Sequence, residues 1–363
     1  MTLVVSLDLA KTGKASFMLG YYHSIDEKRD SQLFDYYRVE QFSQLLEKVN
    51  SEQFQNFCFR GQRDALWKIH STAQRVWSEW GSRKHCLDKK IFYWLWLARM
   101  PIWAREHSHV LPEYVQQHLE QIGDHEILGY LQHFCFPTTL VDFTPDFATA
   151  LFMAVHDINL RDKQGYFSIY GFNQKTTLDK NESYGLEEIV KKWGEDHPSM
   201  ADVHLYDYKV WMPTKGVLIR KDSQDWCPEI SAGRMASQNG MFVHWPSERM
   251  PLETLFAEKY KLDNGIPIDP DWDVDEELAK KLAEVSPDWR AYKAVEAERL
   301  FDRMVCIDVP YSCASDVKQY CKQMGKTEES LGLADKQAED RLKELLKQYL
   351  ESWVSESFEG KIP

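Results

Sequence analysis

The chain has 363 residues, a size between one domain and two, and its 43% hydrophobic content suffices for a sizeable core, which excludes a disordered polypeptide. A formal net charge of −13 argues against steering toward nucleic acid or an anionic membrane. The seven cysteines include no CxxC pair and no metal-ligand spacing, so they read as reduced, buried thiols.

The opening MTLVVSLDLAKTGK lacks a basic start followed by a long apolar run, and no apolar run is long enough to span a bilayer. The expectation is a cytoplasmic protein without a membrane span.

In chain order, residues 3–9 and 16–22 read as two strands around the turn KTGK at 11–14. Residues 39–46 read as a helix with Phe42, Leu45 and Leu46 on its buried face. A short strand at 54–59 delivers Arg60 and Gly61 at its end. Residues 87–107 form a long aromatic helix that Pro101 kinks or ends, and 126–132 is a second helix, giving a helical segment near 85–132. A strand at 138–143 leads into an Ala-rich helix at 147–156, followed by strands at 165–172, 216–220 and 241–244. Residues 263–277 are acidic and Pro-containing and read as a solvated loop. A strand at 304–309, a helix at 316–324 and an amphipathic helix at 339–354 close the chain. Strands and helices do not alternate regularly. The predicted fold is therefore α+β, a central mixed, mostly antiparallel sheet flanked by helices. The division is a body over 1–335 and a C-terminal amphipathic helix in 336–363, packed on that body or on a partner.

Three clusters stand apart from ordinary core or surface sequence. In FCFRGQR at 57–63, Arg60 offers a planar fork of donors suited to phosphate or carboxylate, and Gly61 permits close approach of a ligand to the backbone. A structural Arg–acid pair at a strand end is the alternative. In HFCFPTTLVDFT at 133–144, polar residues surround a short apolar strand that leads into a helix N-terminus, where free N–H groups favour anions. His133 and Asp142 are candidates there, whereas Thr144 reads as a helix cap. In GRMASQNGMF at 233–242, Arg234 adds a second guanidinium, and Gln238 reads either as a site residue or as a turn amide bonding backbone. Metal-protease, nucleophile-elbow and P-loop motifs are lacking: GKT occurs at 325–327, but Tyr320 stands where a P-loop needs its first glycine.

FRGQ at 59–62, HFCFPTTLVDFTPDFATALFMA at 133–154 and RMASQNGMF at 234–242 resemble, in order, the three signatures of the FRG domain family. VCIDVP at 305–310 is similar to that family's closing strand, so the resemblance spans roughly residues 40 to 335. Cys135, Thr139 and Phe143 depart from the Gly, Arg and Trp usual there. The motif order is remotely similar to that of Arg-type ADP-ribosyltransferases, in which the Arg holds NAD phosphate or ribose and a late Glu stabilises the reacting groups. Here the late position is Gln238, which cannot act as a carboxylate, so Glu248, Glu229 or Asp142 would have to replace it.

The resemblance implies an intracellular enzyme with a nucleotide or NAD pocket, performing ADP-ribosyl transfer or hydrolysis, with a place in bacterial defence. It assigns His133, Asp142 and Gln238 to catalysis and Arg60, Gly61, Gln62, Thr138 and Arg234 to ligand binding, with no metal. NAD is the cofactor it implies. A non-catalytic nucleotide-sensing module, or a protein-interaction module using the C-terminal helix on a partner or a second copy, stands as the alternative.

Overall fold

The computed structural model describes residues 20–81, 100–110, 116, 124–133, 136–159, 164–173, 217–219, 238–244, 251–254, 257, 304–333, 344 and 348. Its helices are α1 (Ile25–Asp30), α2 (Phe42–Val49), α3 (Thr72–Gly81), α4 (Asp124–His133), α5 (Phe147–Val155) and α6 (Ala314–Gln323). Its strands are β1 (Asp35–Arg38), β2 (Phe57–Gln62), β3 (Leu140–Phe143), β4 (Tyr166–Asn173), β5 (Val217–Ile219), β6 (Met241–His244) and β7 (Val305–Pro310).

The strands form two sheets, a four-stranded one in the order β1-β7-β4-β2 and a three-stranded one in the order β3-β6-β5. Among the described residues only β1 and β7 run parallel, and the other strand pairs are antiparallel. This is the α+β fold with a mixed, mostly antiparallel sheet, but its strands divide between two sheets. Among the described residues the sheets meet at one bridge, in which Phe59 N donates to the Thr144 carbonyl at 2.7 Å and Thr144 N donates to the Phe59 carbonyl at 2.8 Å.

Side chains alternate across a strand, so the larger sheet has two distinct faces. Phe57, Phe59, Phe167, Ile169, Val305, Ile307 and Val309 face α5, α6 and Leu45 of α2 in one apolar core. Cys58, Tyr170, Phe172 and Cys306 face the other way, against Val141 and Phe143 of β3 and Val243 of β6. That second face also carries polar residues in register. One row runs Tyr36, Cys306, Tyr170, Arg60, and the next runs Arg38, Asp308, Ser168, Gln62. The face that carries Cys58 and Phe172 thus also carries polar residues, of which Ser168, Asp308 and Gln62 are buried.

Gly61 explains why α5 lies so close to β2. A Cβ at that position would sit 1.9 Å from the Ala150 carbonyl oxygen and 2.7 Å from the Ala154 nitrogen. Helix α5 is held at both ends. Asp146 caps its start, accepting from Ala148 N at 3.0 Å and Thr149 N at 3.3 Å. Near its other end, Lys318 Nζ of α6 donates to the carbonyls of His156 at 3.1 Å and Ile158 at 2.8 Å.

Several element boundaries differ from the sequence expectations. The strand expected at 54–59 begins at Phe57, because Glu52–Phe54 makes a 3₁₀ turn and Asn56 takes a left-handed φ of 64°. The helix expected from residue 39 begins at Phe42. Val39 instead extends the sheet, its N–H donating to the Asp308 carbonyl at 3.1 Å, and Gln44 Oε1 accepts from the N–H groups of Glu40 and Gln41. Pro101 lies inside a helical stretch at 100–106 and does not end it. The expected hairpin lies outside the described residues except for residues 20–22, of which Tyr21 bridges Trp67. Residues 82–99 and, apart from 344 and 348, the C-terminal helix at 339–354 also lie outside them. Among the described residues no helix is long and apolar enough to cross a membrane.

Candidate functional site

The strand β2 sends Gly61 toward α5 and Arg60, one residue earlier, to the opposite face, where β3 approaches from the second sheet. Arg60 Nη1 donates to the backbone carbonyl of Asp142 at 2.9 Å and lies 3.8 Å from its carboxylate Oδ2. Arg60 is largely buried, and its Nε–H has no hydrogen-bond partner. Burial pulls the guanidinium's proton affinity down, and the Asp142 charge opposes that effect.

Asp142 is 48% exposed and is oriented from behind. Gln132, near the end of α4, donates from Nε2 to Asp142 Oδ2 at 2.8 Å. Thr138 in turn donates its hydroxyl to Gln132 Oε1 at 2.5 Å and accepts from Leu140 N at 3.2 Å. Thr138, Gln132, Asp142 and Arg60 therefore form one hydrogen-bonded chain across α4, the α4–β3 turn, β3 and β2. The outer oxygen of Asp142, Oδ1, accepts no hydrogen bond among the described residues. Thr139, next to Thr138, is fully buried with its hydroxyl unpartnered.

The other sequence candidates stand elsewhere. The close approach that Gly61 permits is that of helix α5, whose backbone fills the space a ligand would need on that face. Gln62 is buried and donates its amide to the Trp67 carbonyl, closing the turn after β2. Gln238 accepts at its backbone carbonyl from the Thr144 hydroxyl at 2.9 Å, while its side-chain amide donates to the Leu331 carbonyl at 3.0 Å. His133 is the last residue of α4, and its side chain lies outside the described part. Arg234, Glu229 and Glu248 lie outside the described residues. The start of α5 is no anion site, because Asp146 supplies its own carboxylate there and pairs with Lys326. Thr144, expected as the cap, instead accepts from Asp146 N at 3.0 Å.

Sequence reading missed two further polar groups on the same face. Lys28 of α1 is fully buried and donates to Asp308 Oδ1 and Ser168 Oγ at 2.7 Å each, with Tyr36 donating to Asp308 Oδ2 at 3.0 Å. Glu253, also fully buried, accepts from the Tyr22 hydroxyl at 2.9 Å and from Ile69 N at 3.0 Å. Burial raises the Glu253 pKa. The signal available was Ser168 and Asp308 interrupting otherwise apolar strands. Lys28 and Glu253 lie in short helical turns where no pattern marks them. Among the described residues, no group of three or more His, Cys, Asp or Glu could hold a metal ion.

Residues 55–163 match the family model described as the FRG domain. The matched span contains every member of the Arg60–Asp142–Gln132–Thr138 chain together with α5, the helix that Gly61 admits. No curated protein and no solved structure matches the chain.

Proposed function

We propose, from the match of residues 55–163 to the FRG domain model, that this part of the chain holds a nucleotide-like ligand of the NAD class at the junction of Arg60 and Asp142. It acts on that ligand by ADP-ribosyl transfer or hydrolysis. One observation carries this reading: at the seam of the two sheets, an arginine with an unpartnered buried Nε–H meets a half-exposed carboxylate held in place from behind. A fixed acid beside a guanidinium is a common arrangement for ligand recognition.

Asp142 takes the role the resemblance gives to a late carboxylate. It accepts a proton from the attacking group or offsets positive charge developing on the ribosyl carbon. Arg60 positions the ligand, and Thr138 acts through Gln132 by fixing Asp142. His133 and Arg234 keep the catalytic and binding roles assigned by their motifs. The proposed setting is the cytoplasm of a bacterial cell under attack, with the amphipathic helix expected in residues 336–363 engaging a protein partner or a second copy.

A second reading is binding without turnover. It is favoured by Gln238, which is no carboxylate and whose amide is spent on the Leu331 carbonyl. Release of nicotinamide from NAD separates the two. In the catalytic reading the wild type releases nicotinamide, and Asp142→Ala slows release by about 100-fold or more. Binding without release selects the sensing module, and neither binding nor release removes both.

A further inference from the structure

We infer that residues 325–332, which follow α6, form a hinged strap that latches the seam between the two sheets, with Gln238 as its catch. Glycines in the left-handed region stand at both ends of the strap, Gly325 with a φ of 70° and Gly332 with a φ of 66°. A Cβ at Gly325 would meet nothing within 4 Å, so that hinge is open on all sides. Between the glycines, Thr327, Glu328, Glu329 and Ser330 are exposed, and only Leu331 is buried. The turn holds its own shape. Thr327 N donates to Ser330 Oγ at 2.9 Å, Ser330 N to Thr327 Oγ1 at 3.1 Å, and Leu331 N to the Thr327 carbonyl at 3.1 Å. A segment bonded mostly to itself, with one buried apolar side chain, detaches as a unit at low cost.

Two polar ties hold it down. Lys326 pairs with Asp146, the cap of α5, and the Leu331 carbonyl accepts from Gln238 Nε2 at 3.0 Å. Both ties converge on Thr144, whose hydroxyl donates to the Gln238 carbonyl at 2.9 Å and accepts from Asp146 N at 3.0 Å. Strap, Asp146, Thr144 and Gln238 thus close a ring. The backbone of the same Thr144 forms the bridge to Phe59 that joins the sheets, two residues after Asp142 and opposite the neighbour of Arg60. When the strap lifts, Asp146 loses its counter-charge and Gln238 its anchor, so neither partner of the Thr144 hydroxyl stays fixed. The bridge then loosens, and with it the contact between Arg60 and Asp142. Gln238 is in this account a positioning residue. The latch works whatever ligand the junction takes.

The test is amide hydrogen exchange, read residue by residue in the full chain without added ligand, for wild type, Gln238→Ala and Lys326→Met. Gln238→Ala leaves the Leu331 carbonyl without its donor, and exchange at Leu331 and Leu333 rises by about 10-fold or more. The latch requires that the bridging amides of Phe59 and Thr144 rise with them, while Ile307 in β7 keeps its wild-type rate. Lys326→Met cuts the other tie and gives the same pattern. If only the strap amides quicken, the strap does not hold the seam, and the inference is overturned. If Ile307 quickens as much as the bridge, the variants have weakened the whole fold, and the inference is overturned as well. The nucleotide reading stands or falls separately, because no ligand enters this experiment.

Discussion

Lys28 Nζ lies 2.7 Å from Asp308 Oδ1, and both side chains are completely withdrawn from solvent. Ser168 donates to the same oxygen at 2.6 Å, and the ammonium lies 4.9 Å from the centre of the Tyr170 ring. Burial alone would lower the Lys28 pKa, yet it is raised, because the groups around it, Asp308 among them, outweigh the burial. This pair ties α1 to β7, 280 residues away in the chain. Lys28→Met leaves Asp308 buried without its counter-charge and lowers stability by about 3–5 kcal/mol, measured as a denaturant midpoint. The double variant Lys28→Met/Asp308→Leu recovers part of that loss. A single variant as stable as the wild type would show that the pair does not bind the fold together.

Gly61→Ala places a methyl group where the backbone of α5 already is, 1.9 Å from a carbonyl oxygen. Neither strand nor helix can give way cheaply, since both are hydrogen-bonded along their length. The expected loss is about 3 kcal/mol or more, seen in thermal or denaturant unfolding. A ligand-contact role for Gly61 would instead leave stability near that of the wild type and weaken only binding.

His70 makes the fold acid-sensitive. Desolvation by burial lowers its pKa to about 3 from 6.5, and the positive charges of Arg75 and Lys68 add to the shift. A neutral folded histidine that charges on unfolding costs nothing above about pH 6.5. Below that the unfolded chain binds a proton that the folded chain refuses, and stability falls as the pH drops toward about 3. The slope is at most about 1.4 kcal/mol per pH unit. Stability of wild type and His70→Gln measured between pH 7 and 4 should diverge from parallel, with the variant flatter. Parallel curves would place the acid sensitivity elsewhere.

Asp146 fixes the start of α5, and Asp146→Ala removes a side-chain cap and the partner of Lys326 together. A loss of about 1–2 kcal/mol is expected in unfolding experiments. The charge-conserving Asp146→Glu should be less costly than Ala only if the pairing with Lys326 matters alongside the cap.

Much of this arrangement is legible in the sequence. The strands expected at 54–59, 165–172 and 304–309 overlap those at Phe57–Gln62, Tyr166–Asn173 and Val305–Pro310, and the Ala-rich run after Pro145 marks the helix they pack against. Arg60 and Asp142 stand out as charges set into apolar strands, and the structure brings them together. The division into two sheets was not legible, because among the described residues a single bridge between Phe59 and Thr144 joins them and no local pattern encodes it. The role of Gly61 could not be read either, since a glycine that admits a ligand and one that admits a helix have the same sequence. Gln132 escaped notice for a related reason. A polar residue near a helix end is usually solvated, and only the tertiary fold turns its amide onto Asp142.

The most direct test of the proposed pocket is thermal unfolding of the full chain with NAD, for wild type and Arg60→Ala, each compared with its own ligand-free midpoint. At about 100 times Kd, binding adds about 2.7 kcal/mol and raises the midpoint by a few degrees. The expected result is a shift in the wild type that Arg60→Ala loses. A wild type unmoved by NAD at any concentration, or a shift that Arg60→Ala retains in full, would contradict the assignment of the site.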